Sequence, residues 1–159
     1  MMGPMTLITF LGAVFLVASQ ELSCSSPSNF HIPTVKTNWI GAVEHCNRIG
    51  MRLVVVDTEP KQKEIVRLAQ ASNIFNTARM ELWIGGNNLA QEGKFVWHAT
   101  GMIPIYTNWN VGQPDNHGNN EHCIYMWYEP AKNWNWKWND APCSYQANFV
   151  CENVPLGFQ

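Results

Sequence analysis

Charged residues are scarce in this sequence, at 14%, and it contains no run of Lys or Arg that could follow a phosphate backbone. The formal net charge of −2 also argues against nucleic acid as a partner. The chain is nevertheless not of the disordered kind, because 46% of its residues are hydrophobic and eight are Trp. Its 159 residues suffice for one domain with a hydrophobic core and are too few for two. We therefore expect a single, aromatic-rich globular domain.

The sequence also lacks an apolar run of the ~20 residues that a membrane-spanning helix needs. The apolar run at residues 5–18 is shorter, and small residues, Ala18 and Ser19, stand at its end. This pattern predicts a signal peptide over residues 1–19, a mature chain without a membrane span, and secretion to the extracellular space. No Lys or Arg precedes the run, so an uncleaved membrane anchor is the alternative.

Five cysteines follow the apolar run, at Cys24, Cys46, Cys123, Cys143 and Cys151. A secreted chain with this number is expected to form two disulfides and to leave one thiol, and the sequence alone leaves the pairing open. Residues 20–29 are polar and turn-rich, which predicts a flexible leader that carries Cys24. The folded domain is expected over residues 30–159.

The pattern of apolar residues predicts helices first and strands mostly afterwards. Apolar residues at a spacing of three and four from Trp39 predict an amphipathic helix that ends at Gly50. A second helix is expected after a cap at Asp57 or Thr58. Short β-prone runs lie at residues 53–56, 82–84, 94–97, 123–128 and 148–151. This order predicts the α+β class.

The long segment between the strands at residues 97 and 123 is rich in Asn, Gly and Pro, and a segment of that length is usually functional. Together with the residues after it, this segment offers two amide and three carboxylate side chains: Gln113, Asp115, Glu121, Asn139 and Asp140. Calcium takes about 6–8 oxygen ligands of these kinds. The set therefore predicts a calcium site, and an ordinary polar loop is the alternative because turns contain the same residue types.

Four short motifs occur in a particular order: WIGG at residues 83–86, QPD at 113–115, NEHC at 120–123 and WND at 138–140, followed by Cys143 and Cys151. Over roughly residues 30–152 this order resembles the signature of the C-type lectin domain family, and most of all its small secreted insect members. The resemblance implies two helices, two small antiparallel sheets and a long ligand-binding loop region. It also implies the disulfides Cys46–Cys151 and Cys123–Cys143.

The resemblance further implies that the five oxygen-bearing residues bind one calcium ion, and that sugar hydroxyls coordinate this ion directly. The same five residues and His117 are then the expected sugar contacts. Family members with Gln-Pro-Asp tend to bind galactose-type sugars, whereas members with Glu-Pro-Asn prefer mannose, so galactose-containing glycans are the expected partners. Strong galactose binders carry Trp at the position of His117, which predicts modest affinity here. A solvated loop histidine is the alternative for His117.

An auxiliary calcium site of the family would draw on Asn88, Glu92 and Asn116, together with Glu121. Several positions that are acidic in that site carry neutral residues in this chain, and a site with fewer negative charges binds the ion more weakly. We therefore do not expect strong occupancy of a second site.

Cys24 stands outside the four cysteines that the resemblance pairs. An odd cysteine in a secreted chain favours an intermolecular bridge, so a disulfide-linked homodimer is predicted. Two copies joined in this way would bind multivalent glycans with higher avidity.

The tryptophans are expected mainly to pack the core and the loops. Trp134, Trp136 and Trp138 alternate along the chain, which predicts that they share one face of a sheet. Trp109 is expected to hold the long loop in place rather than to line the sugar site.

Two other classes of function compete with the calcium-dependent lectin. A lectin-fold protein can bind a protein or another surface without calcium, because a fold alone does not fix a function. A glycosidase would need two carboxylates such as Asp115 and Glu121, but both are better used as calcium ligands and no nucleophile motif is present, so no enzyme is predicted. Zinc at His45 or His122 is not expected, because the spacing fits no closed zinc site.

Overall fold

The computed structural model describes residues 28–154. The predicted signal peptide, most of the predicted leader and Cys24 lie outside the described residues. The elements of the described range are β1 (Phe30–His31), α1 (Trp39–Arg48), β2 (Met51–Leu53), α2 (Glu59–Ala71), β3 (Met80–Asn87), β4 (Val96–Trp97), β5 (Cys123–Glu129), β6 (Trp134–Ala141), β7 (Asn148–Phe149) and β8 (Cys151–Asn153).

Helix α1 forms where the sequence predicts it and is capped at both ends. The Asn38 side chain accepts a hydrogen bond from the Gly41 N–H at 2.8 Å, which satisfies a free donor of the first turn. The helix stops before Gly50, which adopts a positive φ of 73° that glycine tolerates without a steric penalty. Its buried stripe consists of Trp39, Ala42, Val43 and Cys46.

Helix α2 begins at Glu59 and is capped by Thr58, whose side chain accepts from the Lys61 N–H at 3.4 Å. Pro60 occupies the first turn, where its missing N–H costs no helical hydrogen bond. The helix buries Ile65 and Ala69, and also the polar side chain of Gln62, whereas Leu68 is partly buried.

Two sheets complete the fold. A three-stranded antiparallel sheet has the order β1-β8-β2, and a larger sheet has the order β4-β3-β5-β6. Strand β7 pairs with β3 in the parallel direction over two residues, a departure from the antiparallel pairing that the resemblance implies. The architecture of two helices and two sheets agrees with the predicted α+β class.

Two local expectations were wrong. Val54, Val55 and Val56 are buried but follow β2 rather than continuing it, because the Val54 N–H bonds to the Val150 carbonyl and its carbonyl accepts from Gly85, so this segment connects the two sheets. The alternating tryptophans of β6 do not share one face. Trp136 has a positive φ of 56° at an irregularity in the pairing with β5, so the strand does not keep its alternation.

Consequently the tryptophans of β6 stack on different partners. Trp134 stacks on Trp127 with ring centroids 4.2 Å apart, and Trp136 stacks on Tyr128 at 5.1 Å. Because Trp127 and Tyr128 are successive residues of β5, their side chains leave the sheet on opposite faces.

Two disulfides join distant parts of the chain in the pairing that the resemblance implies. Cys46 of α1 is bonded to Cys151 of β8 across a separation of 105 residues. Cys123 at the start of β5 is bonded to Cys143, which follows β6, across 20 residues. The first bridge fastens the opening helix to the last strand, and the second braces the end of the sheet where the long loop begins and ends.

Candidate metal centre

The end of β6 provides the rigid part of the candidate site, since it carries Asn139 and Asp140, both buried. The long loop at residues 98–122 is fastened beside this strand by main-chain hydrogen bonds. The Trp138 N–H donates to the Asn108 carbonyl at 2.8 Å, and the Asn110 N–H donates to the Trp138 carbonyl at 3.0 Å. Loop and strand are therefore held in register directly before the two candidate ligands.

Gln62 of α2 supports this arrangement, although no motif or spacing in the sequence marks it for this role. Its Oε1 accepts from the Trp138 indole N–H at 2.9 Å, and its amide donates to the Trp136 carbonyl at 3.0 Å. Trp109 packs edge-on against Trp138 at 5.6 Å, as expected of a residue that holds the loop. A polar residue in a helix gives no signal for such contacts, because its partners are 74 and 76 residues away.

Three carboxylates meet where loop and strand come together. One oxygen from each of Asp115, Glu121 and Asp140, named here the carboxylate cluster, lies within 4.8 Å of the others. Asp140 accepts from the N–H groups of Asp115 at 3.2 Å and Asn116 at 2.9 Å, and Glu121 accepts from the His117 N–H at 3.1 Å. Within residues 28–154, no Lys or Arg forms an ion pair with the cluster.

This arrangement alters the protonation of Glu121. Burial, together with the nearby Asp140 and Asp115, raises the pKa of its carboxyl to about 6, and the hydrogen bond from the His117 N–H opposes this rise. Like charges gathered in a partly buried place disfavour ionisation. A divalent cation would offset both causes, because it supplies the opposite charge and replaces the lost hydration.

The two amide side chains of the candidate set are also placed at this end of the domain. Gln113 directly precedes Pro114, with a cis peptide bond between them, and its Oε1 is buried without a hydrogen-bond donor in the part of the chain that the structure describes. A buried acceptor without a donor is costly, and a metal ion is one partner that satisfies it. The Asn139 amide lies against the Asp140 main-chain carbonyl and within 3.4 Å of the Tyr125 hydroxyl.

The donor set fits calcium. It offers carboxylate and amide oxygens and no thiolate or imidazole, which is the hard-oxygen chemistry that calcium prefers over zinc. The sequence prediction that Asp115, Glu121 and Asp140 come together agrees with the geometry. Their role as ligands, and that of Gln113 and Asn139, remains a prediction.

The remaining predicted residues lie at the margin of the cluster. His117 begins a short 3₁₀ turn, and its side chain is exposed. Asn116 uses its Oδ1 to accept from the Glu121 N–H at 3.0 Å. The other two candidates for an auxiliary site face each other: Asn88 and Glu92 lie within 3.4 Å, and both contact His122 Nδ1, at 3.0 and 3.2 Å. Asn116 thus serves the primary cluster, and Asn88 and Glu92 already bond to protein groups.

Comparison with known proteins decides the family. The protein-family model of the Lectin C-type domain matches residues 35–153, which is most of the chain. The chain belongs to the C-type lectin domain family. This confirms the resemblance seen in the sequence.

Similar members of the C-type lectin family come from mosquitoes. Salivary C-type lectin 1 of Aedes albopictus is 47% identical over 93% of this chain and 96% of its own length. C-type lectin 16 of Aedes aegypti is 48% identical over 89% of this chain and 91% of its own length. Among solved structures, the carbohydrate-recognition domain of the human scavenger receptor C-type lectin has a TM-score of 0.65 and 27% identity, and the match covers 78% of this chain and 88% of that domain.

The chain is therefore a C-type lectin carbohydrate-recognition domain and a binding protein, which confirms the prediction that it is not an enzyme. Over residues 28–154, no helix combines the length and the apolar character that a membrane crossing requires.

Proposed function

We propose that this protein binds galactose-type sugars through a calcium ion held by Gln113, Asp115, Glu121, Asn139 and Asp140. The observation that carries the proposal is the carboxylate cluster, which has main-chain donors but no cationic side chain facing it within the described residues. The buried and unpartnered Oε1 of Gln113 adds a second unmet electrostatic need at the same end of the domain.

The same five side chains then have two tasks. Their oxygens hold the ion, while the outer lone pairs of the carboxylates accept from sugar hydroxyls and the amide N–H groups donate to them. When bound, calcium supplies open coordination positions for two neighbouring hydroxyls of the sugar. Direct hydrogen bonds to a hydrated, neutral sugar bring little net free energy, which is why the ion matters.

The order of amide and carboxylate supports a preference for galactose over mannose. Gln113 places the amide before Pro114 and Asp115 places the carboxylate after it, and this order sets which hydroxyl meets a donor and which meets an acceptor. The exposed His117 is a smaller platform than Trp for the apolar face of a sugar, so a modest affinity is proposed.

Two experiments test this function. On a glycan array, binding to galactose-terminated glycans should require calcium and disappear with EDTA; binding that survives chelation would instead support a lectin-fold protein that works without calcium. The double exchange Gln113→Glu with Asp115→Asn conserves both charge and ligand number. It should move the preference from galactose to mannose, and an unchanged preference would contradict the proposed basis of specificity.

We also propose that the protein is secreted, with residues 1–19 removed and residues 30–159 as the lectin domain. The apolar run at residues 5–18, the two disulfides and the relative from Aedes albopictus that is named salivary support this. Mass spectrometry of the protein from the medium of transfected insect cells would locate the cleavage site.

The predicted homodimer through Cys24 is likewise a proposal. A non-reducing gel of secreted protein should contain a band of twice the monomer mass, and Cys24→Ser should remove it. A monomer band alone, or Cys24 capped by a small thiol, would end the idea.

A further inference from the structure

Beside the candidate metal centre the long loop encloses an apolar groove with a volume of about 250 Å³. Its wall includes aromatic, aliphatic and proline side chains with one hydroxyl: Phe95, Ile103, Pro104, Thr107, Trp109 and Pro114. Lys94 is the one charged residue among the residues that line it. The groove is thus chemically unlike the oxygen-rich cluster next to it.

The groove adjoins the proposed sugar site through a shared residue. Pro114 lines the groove, while its two chain neighbours, Gln113 and Asp115, are candidate ligands of the calcium ion. A group attached to a sugar that is held at Asp115 therefore lies within reach of the groove.

The floor of the groove is preformed. Phe95 packs against Trp109 with ring centroids 5.1 Å apart, and Trp109 packs against the buried Trp138 at 5.6 Å. These contacts link the groove to the core of the larger sheet. A preformed apolar floor lowers the entropic cost of binding.

The rim leaves apolar surface in water. Ile103 is 62% exposed and its neighbours Met102 and Ile105 are 63% and 89% exposed, while Val111 on the same loop is 98% exposed. Single exposed apolar residues are ordinary, but several on one loop beside an apolar groove indicate a surface for binding.

We propose that this groove binds an apolar aglycone, meaning an alkyl or acyl group attached to the sugar that the metal centre holds. The volume argues for this occupant, because it is below the 300 Å³ or so at which a cleft holds a whole small ligand. The groove therefore holds the apolar part of a ligand, and the polar part of the same ligand is bound next to the groove. This inference rests on the proposed calcium-dependent sugar binding.

The test is calorimetric titration of the protein with methyl, hexyl and octyl β-galactosides in calcium, below the aggregation concentration of each. Burial of two or more methylene groups predicts that octyl galactoside binds roughly tenfold or more tightly than methyl galactoside. Ile103→Ser should reduce this gain to threefold or less and leave methyl galactoside unchanged. Ile49→Ser, at an apolar site 45% exposed at the end of α1, is the matched control and should keep the full gain.

The outcomes separate the two proposals. Equal affinity for methyl and octyl galactoside would overturn the groove and leave the sugar site standing, whereas no binding of any galactoside in calcium would end both. Octyl galactoside binding that persists in EDTA would overturn the link between groove and metal centre. Self-association that Ile103→Ser abolishes, without a chain-length effect, would assign the groove to a second copy of the chain.

Discussion

Glu152 on β8 and the carboxylate cluster at the loop end each include a buried acid, Glu152 itself and Asp140, and the two regions differ in the groups that face the acids. The buried Glu152 accepts from Arg52 Nε at 2.8 Å and from the Val55 N–H at 3.0 Å, and Lys61 Nζ lies 2.6 Å from its other oxygen. In the cluster, Asp140 and Glu121 accept from main-chain N–H groups, and none of the three acids pairs with a Lys or Arg of residues 28–154.

The difference separates an acid that stabilises the fold from acids that serve a ligand. At Glu152 the chain supplies its own cations, so the site is complete after folding. At the cluster the chain supplies negative charge alone, and the raised pKa of Glu121 is the sign of an unfavourable arrangement. Removing an acid should therefore destabilise the first region and relieve the second.

The largest effect is expected from the disulfide that closes the Glu152 region. Replacing Cys46 and Cys151 by Ala should lower the free energy of unfolding by about 4–5 kcal/mol, because the bridge spans 105 residues. The same change at Cys123 and Cys143, which spans 20 residues, should cost about 3 kcal/mol. Urea unfolding in EDTA measures both, and an equal or reversed ranking would contradict the loop-length argument.

The substitution Glu152→Gln should lower the free energy of unfolding by about 3 kcal/mol, because it removes the carboxylate that pairs with both Arg52 and Lys61 and leaves Lys61 only the longer pair with Asp57 at 3.6 Å. The value lies at the low end for a buried pair, since both cations keep some contact with water. Calcium affinity should stay unchanged. Glu59→Gln, which breaks an exposed pair with Lys63, is the control and should leave urea unfolding unaltered. A Glu152→Gln protein as stable as wild type would contradict the stabilising role of Glu152.

Glu121→Gln should have the opposite sign. In EDTA at neutral pH it should stabilise the protein by about 1 kcal/mol, because it removes one like charge from the cluster. It should also abolish the stabilisation by calcium, which for wild type is about 2.7 kcal/mol at one hundred times the Kd. Thermal unfolding with and without calcium measures both, with the exposed Glu44→Gln as control. Destabilisation in EDTA would mean that the cluster is a structural site like Glu152.

The smallest effect is the pH dependence of the calcium-free protein. The pKa of Glu121 in the folded protein is about 6, above its ordinary value of 4.5. The contribution of this raised pKa to the stability of the fold is therefore fully present below pH 4.5 and is lost as the pH rises through 6. When the pH is lowered from 7 to 5 in EDTA, the free energy of unfolding of the wild-type protein should rise by less than about 1 kcal/mol relative to that of the Glu121→Gln protein. Calcium affinity should fall over the same window, because protons compete for the ligands. A pH-independent difference would contradict the assigned pKa.

Much of this domain could be predicted from its sequence. The helix starts follow from local capping at Asn38 and Thr58, and apolar spacing marks their buried faces. The cluster was predictable because its members lie in short motifs whose order is recognisable. These features depend on neighbours along the chain, so a linear sequence retains them.

Other features depend on contacts that only the folded chain makes. The role of Gln62 arises from its meeting with Trp138, and the left-handed Trp136 turns an alternating pattern into two faces. The apolar groove likewise exists because Phe95, Ile103 and Pro114 converge from separate parts of the chain. No periodicity or motif encodes such meetings.

Calorimetric titration of the purified protein with calcium chloride at pH 7.5 determines whether the carboxylate cluster holds a calcium ion. We expect saturable binding that includes a primary site, which Asp115→Asn weakens at least tenfold and which Asp57→Asn, at a half-exposed acid on another part of the domain, leaves intact. Absence of calcium uptake by the folded wild-type protein, or equal uptake by the Asp115→Asn protein, would contradict it.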